Sequence, residues 1–335
     1  TCDMNFPKKN NMRSRSILPY FNSFIVIILI ISFVLYSTDY SFYENPFISY
    51  HYKYYNIINI VYCTTNSQLH FVAISSLSII NRTKKKLNFY IYTPDPFTKN
   101  HTIFEKIEIE TNGRSTFYMD TINFTLCKET FRNRWNFWNP FAYARIFMID
   151  KIPVSKCIYI DTDVYGCGDV NELWQIHLGN NLIAAVLDRL PSGNFIGNGH
   201  MSILNSLIDQ KEIEIMNHTG LTVNNYFNSG VLLMNIDEMK KVDFVNRCVQ
   251  TYKKNQTFYP DQDMLNVVSG HRRVILDWRF NKPVVGGWTK CVFRHYNHLK
   301  VTKPEFKRHQ FDYDYYYDAL DEYNRLMEKY NHTIY

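Results

Sequence analysis

The sequence of 335 residues contains no Cys-x-x-Cys pair, and its seven cysteines show no zinc-ligand spacing. A structural zinc site is therefore not expected. Long runs of positive charge are also lacking, because the net charge of +6 comes from scattered lysines and arginines and only residues 84–86 form a short basic run. This distribution gives no indication of nucleic-acid binding, so no nucleic-acid partner is expected.

The composition is not that of a disordered protein, since 46% of the residues are hydrophobic and 20% are charged. The chain is long enough to bury a sizeable core, and we find neither an internal repeat nor an interdomain linker. Cys157 and Cys167 are close enough in sequence to form a disulfide in an oxidising compartment. Both can equally be small buried side chains, and the spacing alone does not decide between these alternatives.

Residues 17–36 carry no charge, and as a helix these 20 residues reach about 30 Å, the thickness of a bilayer's hydrocarbon core. Basic residues precede this segment and acidic residues follow it, which predicts a cytosolic N-terminus. We predict a cytosolic tail (1–16), a type II signal anchor (17–36), a stem (37–56) and a folded domain (57–335). A cleaved signal peptide is the alternative, but no small-x-small cleavage site follows.

Asn-x-Thr sequons for N-glycosylation all lie on the predicted luminal side of this anchor. They are Asn81, Asn100, Asn123, Asn217, Asn255 and Asn331. Their placement agrees with a domain that lies in the secretory lumen.

The folded domain opens with an alternation of strand and helix patterns. A β-branched run at 57–63 is followed by a helical pattern through Ile80 and a second apolar run at 87–92. Later segments continue the alternation, with strands at 157–160, 182–187 and 231–235 and a helical pattern at 170–178. This order predicts an α/β, Rossmann-like domain with a mostly parallel central sheet, which binds ligands at the carboxyl ends of its strands.

Asp161-Thr162-Asp163 directly follows the strand predicted at 157–160. Two carboxylates at a strand end can turn toward one cation, and such hard oxygen ligands suit Mg²⁺ or Mn²⁺. Near the C-terminus, His295 can add an imidazole ligand and Lys303 can neutralise a pyrophosphate. Each of these residues can also have a purely structural role.

Two further polar motifs accompany predicted elements. Asn228-Ser229-Gly230 is interpreted as a polar turn before the strand at 231–235, where Gly230 permits close backbone approach and Asn228 can bond sugar hydroxyls. Asp261-Gln262-Asp263 opens a helix, and Asp261 can be either a catalytic group or an N-cap.

Taken in order, these motifs resemble glycosyltransferase family 8, which has the glycogenin-type GT-A fold, and within it the glucoside xylosyltransferases. The resemblance runs from about residue 57 to at least residue 306. Residues 135–145, residues 278–283 and Cys291 carry the narrower likeness to the xylosyltransferases.

The resemblance implies a UDP-sugar donor, a glycan or glycoprotein acceptor, and an endoplasmic reticulum or Golgi membrane location. It further implies a retaining transfer of xylose from UDP-xylose, with O-linked glucose on EGF-like repeats as acceptor. It also implies a role for individual residues. Asp161, Asp163 and His295 would bind Mn²⁺ or another divalent cation, and Cys63, Thr64 and Asn66 would bind uridine. Contacts with the donor would come from Arg145, Asn228, Ser229 and Lys303, and Asp261 and Gln262 would line the side of the donor sugar at which the reaction takes place.

One departure concerns Tyr296, which stands where the family has glycine after the histidine ligand. Its side chain is expected to crowd the phosphate or to shift the ligand role to His298. Tyr296 leaves open an inactive nucleotide-sugar-binding homologue. A second rival is a phosphatase of the haloacid dehalogenase type, because residues 158–164 also fit its hydrophobic strand, nucleophilic aspartate and second aspartate.

Overall fold

The computed structural model describes residues 57–94, 102–130, 140–188, 225–255, 260–283, 290–296 and 314–330. The predicted tail, anchor and stem lie outside these ranges, as do Lys303 and His298. Within the ranges given, every helix is too short or too polar to cross a membrane.

Strands and helices alternate along the described part of the chain. The strands are β1 (Ile57–Cys63), β2 (Lys86–Thr93), β3 (Ser115–Thr121), β4 (Lys156–Ile160), β5 (Val164–Gly166), β6 (Ile183–Leu187), β7 (Phe227–Asn235), β8 (Arg273–Leu276), β9 (Lys282–Pro283) and β10 (Phe293–His295). The helices are α1 (Leu69–Ile80), α2 (Thr102–Glu110), α3 (Phe124–Thr130), α4 (Ala144–Lys151), α5 (Asn171–Trp174), α6 (Ile236–Lys241), α7 (Phe244–Asn255), α8 (Pro260–Ser269) and α9 (Asp314–Lys329). Short 3₁₀ turns occur at Asn66–Gln68, Pro140–Tyr143 and Trp278–Asn281.

The described strands form a seven-stranded sheet in the order β3-β2-β1-β4-β7-β6-β8 and a small sheet in the order β5-β10-β9. In the large sheet, β1 pairs in parallel with β2 and β4, β2 with β3, and β6 with β8. Only the pairings of β7 with β4 and β6 are antiparallel. The predicted α/β fold with a mostly parallel sheet is therefore confirmed for this part of the chain.

Helices cover both faces of the large sheet, because its central strands are apolar on both sides. On β1, Ile60 packs into a core with α1 and α9, whereas Val61 faces a core formed with α4, α6, α7 and α8. On β4, Ile158 packs into the same core as Ile60, and Tyr159 packs into the same core as Val61. Alternate side chains of β1 and β4 thus enter opposite cores, so that nearly every residue of both strands is buried. The polar groups of the site follow at the carboxyl ends of these strands.

The helix predicted at 170–178 is wrong in extent, since α5 ends at Trp174. Beyond it, the Nζ atom of Lys156 donates hydrogen bonds to the carbonyls of Trp174 (2.7 Å) and Ile176 (3.0 Å). A lysine that satisfies these carbonyls takes the place of the next helical turn.

The cysteines do not pair as their spacing allowed. Cys157 is a buried free thiol in β4, and Cys167 forms a disulfide with Cys291. Cys167 lies beside β10, where its backbone N–H donates to the carbonyl of Val292 at 2.9 Å, whereas Cys157 pairs with Met234 inside the large sheet. Cys157 therefore lies inside the large sheet, whereas Cys167 follows β5 of the small sheet.

Serines of α1 connect the large sheet to the small one. Ser75 Oγ donates to the carbonyl of Val164, and Ser78 Oγ accepts a 2.8 Å hydrogen bond from the buried backbone N–H of Gly166. Strand β5 is thereby held against α1, and β5 in turn pairs with β10, which carries His295.

Replacing Ser78 by alanine removes the partner of the Gly166 N–H. We expect Ser78→Ala to lower the free energy of unfolding by about 1–3 kcal/mol, because a buried donor is left unsatisfied. Urea denaturation measures the change, and Ser67→Ala, at an exposed serine, is the matched control. Equal stability of the two variants would contradict this role.

Candidate active site

The polar motifs meet where β4 ends and β7 begins. Because β7 runs antiparallel to β4, with Ile160 opposite Val231, the residues before Val231 lie beside the residues after Ile160. The backbone N–H of Asp161 donates to the carbonyl of Gly230 at 2.9 Å. Asn228-Ser229-Gly230, interpreted from the sequence as a turn, is in fact the first part of β7.

Asp161, Asp163 and His295 form a cluster in which one ligand atom of each lies within 4.8 Å of the others. The pairing of β5 with β10 brings His295 to this place, and the backbone N–H of Tyr296 donates to the carbonyl of Asp163 at 2.9 Å. The side chains of Asp161 and Asp163 are 24% and 39% exposed, whereas that of His295 is 5% exposed. The two carboxylates therefore face solvent in front of a buried imidazole.

The three groups influence one another's protonation. Burial raises the pKa of Asp161, and the neighbouring Asp163 adds to this effect, although Arg145 opposes it. Burial also acts on Asp163 and on His295, but their mutual attraction outweighs it, so the pKa of Asp163 is lowered and that of His295 is raised. Two carboxylate oxygens beside an imidazole nitrogen are a donor set that fits Mn²⁺, and a cation held there would relieve the repulsion between the carboxylates.

Arg145, near the start of α4, joins the ends of three elements. Its guanidinium pairs with Asp161 Oδ1 at 2.9 Å and with Asp261 Oδ2 at 3.1 Å. It also donates to the carbonyl and the hydroxyl of Ser229, each at 3.1 Å, and lies over the ring of Tyr159. Arg145 is buried, and a buried charge needs partners of opposite charge. The two carboxylates supply them.

Gln262 lies on the other side of Ser229. Its Oε1 accepts from the backbone N–H of Ser229 at 2.9 Å, so the remaining amide nitrogen donates to Asp188 Oδ2 at 3.1 Å. Asp188 Oδ1 accepts from Asn228 Nδ2 at 3.1 Å. The N-cap alternative for Asp261 is wrong, because Asp261 lies inside helix α8, after Pro260, and its carboxylate pairs with Arg145.

Asp188 and Asn281 belong to the site and are not among the residues that the sequence predicted. Asp188 follows the apolar strand β6, as Asp161 follows β4, and this position was a usable signal. Asn281 donates to Asn228 Oδ1 at 2.8 Å and bonds Nδ1 of His295 at 2.9 Å. Asn281 lies within the motif at 278–283, but nothing local assigns it to the site, because its partners come from β7 and β10.

The predicted uridine-binding residues lie at the carboxyl end of β1, next to β4. Cys63 is the last residue of the strand, and Thr64 is buried, with its backbone N–H bonded to the carbonyl of Tyr92 at 2.9 Å. Asn66 begins the 3₁₀ turn that leads into α1. Burial raises the pKa of the Cys63 thiol, which lies within the electrostatic reach of Arg145. The predicted uridine site and the cluster of Asp161, Asp163 and His295 thus share one edge of the sheet.

The expectation that Tyr296 crowds the site is not met in this structure. Its side chain is 1% exposed and packs edge-on against Tyr165, with ring centroids 5.3 Å apart, inside the core shared with α1. His295 and Tyr296 are neighbours on a strand end, so their side chains point to opposite sides.

Comparisons with known proteins identify the family and the fold. The family model described as glycosyl transferase family 8 matches residues 59–302. A curated protein of Haemophilus influenzae, named only as a glycosyltransferase, is 28% identical over 67% of this chain and 63% of its own length. The lipopolysaccharide 1,2-glucosyltransferase of Escherichia coli is 25% identical over 75% of this chain and 64% of its own length. The chain thus spans less than two thirds of these relatives.

A solved structure of the galactosyltransferase LgtC, in complex with donor and acceptor sugar analogues, superposes with a TM-score of 0.59 at 17% identity. The match covers 81% of this chain and 96% of that one. GlyE of Streptococcus pneumoniae gives a TM-score of 0.57 at 15% identity, over 82% of this chain and 63% of that one. At these identities the likeness is one of fold.

Gly230 gives the imidazole of His295 the space that it occupies. A Cβ atom at Gly230 would lie 2.2 Å from Cε1 of His295 and 2.7 Å from Nδ1. We expect Gly230→Ala to push the ring away from Asp163 and to weaken Mn²⁺ binding at least tenfold, the size of effect seen when the support of a metal ligand is lost.

Titration with Mn²⁺, followed by electron paramagnetic resonance of the free ion, measures this loss. Gly113→Ala is the control, because it strains a distant turn of positive φ with open space around it. Its folding stability should fall while its Mn²⁺ affinity stays that of the unmodified protein. Unchanged affinity in Gly230→Ala would show that His295 does not need this contact.

Proposed function

Since the chain belongs to glycosyltransferase family 8, we propose that it transfers a sugar from a UDP-sugar donor to a glycan acceptor, with retention at the anomeric carbon. The observation that carries the proposal is the cluster of Asp161, Asp163 and His295 at the edge of the sheet that also holds Cys63 and Thr64. Family membership is shown by the model match over residues 59–302.

Asp161, Asp163 and His295 are the residues that would hold a divalent cation such as Mn²⁺. The cation would supply Lewis-acid stabilisation of the departing diphosphate. The protein's own part is to place the carboxylates. Arg145 holds Asp161 by a 2.9 Å ion pair, and His295 holds Asp163 at 3.3 Å.

For the transfer itself we propose attack on the same face as the leaving group. The acceptor hydroxyl oxygen bonds to the anomeric carbon, the bond from that carbon to the diphosphate oxygen breaks, and the hydroxyl proton passes to the diphosphate. A double displacement requires a free carboxylate nucleophile. Asp261 is paired with Arg145, and both oxygens of Asp188 accept amide hydrogen bonds, which supports the direct route.

The two rival functions lose support. In a phosphatase of the haloacid dehalogenase type, the first aspartate must be free to attack. Asp161 Oδ1 instead pairs with Arg145 and accepts a 2.8 Å hydrogen bond from the hydroxyl of Tyr159. The inactive homologue depends on crowding by Tyr296, but the side chain of Tyr296 lies in the core.

The donor sugar that we propose is xylose, and O-linked glucose on EGF-like repeats is the proposed acceptor. Both rest on the sequence motifs at 135–145 and 278–283 and on Cys291. Glucose and galactose are the alternatives that the names of the similar glucosyltransferase and galactosyltransferase suggest. Glucose differs from xylose by a hydroxymethyl group, and galactose differs also in its configuration at C4. The shape of the pocket must accept or exclude the hydroxymethyl group.

Donor hydrolysis tests the proposal. We expect Mn²⁺-dependent hydrolysis of one UDP-sugar when UDP-xylose, UDP-glucose and UDP-galactose are compared. Asp163→Ala should lower the rate at least 100-fold, since a carboxylate ligand is lost, whereas Asp318→Ala, at an exposed carboxylate on α9, should leave it unchanged. Hydrolysis that is indifferent to both Mn²⁺ and Asp163 would refute the proposed function.

We also propose that the domain lies in the lumen of the endoplasmic reticulum or Golgi and is anchored by residues 17–36. This rests on the charge asymmetry around that segment and on the sequons. Asn81 and Asn123 are exposed, and Asn123 can accept its 3.2 Å hydrogen bond from the Leu126 N–H through Oδ1 while Nδ2 carries a glycan.

The topology predicts N-linked glycans on the full chain made in eukaryotic cells. Treatment with peptide N-glycosidase F should increase its electrophoretic mobility, and Asn81→Gln should remove one glycan. A chain without glycans that is digested by protease added to intact microsomes would contradict the luminal location.

A further inference from the structure

Asn281 is a buried amide that the proposed chemistry does not yet use. It ends the 3₁₀ turn Trp278–Asn281 and is 2% exposed. Asp277 caps this turn by accepting from the backbone N–H of Arg279 at 2.9 Å, and the carbonyl of Arg279 accepts from Val292 N–H at 2.8 Å. The turn is thereby fixed next to the strand that carries His295.

The orientation of the Asn281 amide follows from the backbone N–H of Gly230, which can only donate a hydrogen bond. The N–H of Gly230 donates to Asn228 Oδ1 at 2.9 Å, so this atom of Asn228 is the oxygen. The amide nitrogen of Asn228 accordingly donates to the carboxylate of Asp188 at 3.1 Å. The Asn281 atom that lies 2.8 Å from Asn228 Oδ1 must therefore be the nitrogen.

The other atom of the Asn281 amide is then the oxygen, and it lies 2.9 Å from Nδ1 of His295. An oxygen at this distance accepts a hydrogen bond, so Nδ1 of His295 carries a proton. The opposite nitrogen, Nε2, lies 3.3 Å from Asp163 Oδ1. The hydrogen bonds thus assign the two nitrogens different tasks, with Nδ1 as donor and Nε2 as the nitrogen that faces the carboxylates.

A second contact limits rotation of the same ring. The absence of a side chain at Gly230 lets the imidazole lie against the backbone of β7, since a Cβ there would be 3.0 Å or less from three ring atoms. The imidazole of His295 therefore has one orientation in which Nδ1 bonds Asn281 and the ring lies against Gly230.

We infer that Asn281 is a positioning residue, which holds His295 by its Nδ1 proton so that Nε2 faces the metal, and which couples this ligand to Asn228. The inference rests on the proposed metal-dependent function. Groups that bond the second nitrogen of a histidine ligand fix its orientation, and their loss costs about 10–100-fold in metal affinity. Here the same amide also reaches a residue that is proposed to contact the donor sugar.

Three variants separate this role from a general effect on folding. Asn281→Ala removes both bonds, whereas Asn281→Asp keeps an acceptor for Nδ1 of His295 but places an oxygen against Asn228 Oδ1. Asn59→Ala is the matched control, because Asn59 is also buried and donates to the carbonyl of Lys156 at 3.2 Å within the large sheet. Mn²⁺ affinity is measured by electron paramagnetic resonance, and donor binding by the KM for the UDP-sugar.

We expect Asn281→Ala to bind Mn²⁺ at least tenfold more weakly than the unmodified protein, by the loss of support for His295. Asn281→Asp should restore the affinity to within about threefold, while its KM for the donor stays raised because the link to Asn228 is lost. In the protein loaded with Cd²⁺ as a diamagnetic probe, ¹⁵N spectra of histidine should show the ring proton of His295 on Nδ1.

Unchanged Mn²⁺ affinity in Asn281→Ala would overturn the inference, and so would an equal loss in Asn59→Ala or a ring proton on Nε2. The proposed function fails differently. If the unmodified protein binds Mn²⁺ no better than Asp163→Ala does, the metal site itself is refuted, whatever the behaviour of Asn281.

Discussion

The antiparallel pairing of β7 with β4 is the interaction on which the rest of the site depends. In the sheet, the neighbouring strands β3, β2, β1 and β4 all run in one direction. Strand β7 runs in the opposite direction beside β4, with Ile160 opposite Val231. A shift of this register by one residue would turn every side chain of β7 to the other face of the sheet. The observed register places Ser229 beside the guanidinium of Arg145 and Gly230 beside Asp161.

The second requirement of the site is charge balance. Asp161, Asp163, Asp188 and Asp261 converge at one edge of the sheet, and each is held by a donor from another element. Arg145 serves two of them and His295 serves a third, while Asp188 accepts from two neutral amides. Carboxylates that are paired in this way keep their positions before any substrate arrives, and a preorganised arrangement is what electrostatic catalysis requires.

Sequence reasoning located the parts of this site whose signals are local. The apolar strand before Asp161 and the helix start at Asp261 are patterns within a few residues, and the structure has both elements. It could not find Asn281, because the partners of this residue are distant in sequence, nor the Cys167–Cys291 disulfide, whose cysteines are 124 residues apart. It also began strand β7 too late, at residue 231 instead of Phe227, since Asn228-Ser229-Gly230 has turn composition but is held extended by its neighbours β4 and β6.

The central claim is that one divalent cation binds between Asp161, Asp163 and His295. Anomalous scattering at the manganese absorption edge, from crystals of the protein grown with Mn²⁺ and UDP, tests it most directly. The account predicts one anomalous peak within coordination distance of both carboxylates and of Nε2 of His295, adjoining the density of the diphosphate. A peak elsewhere, or a diphosphate bound at this edge of the sheet with no anomalous scatterer beside it, would contradict the claim.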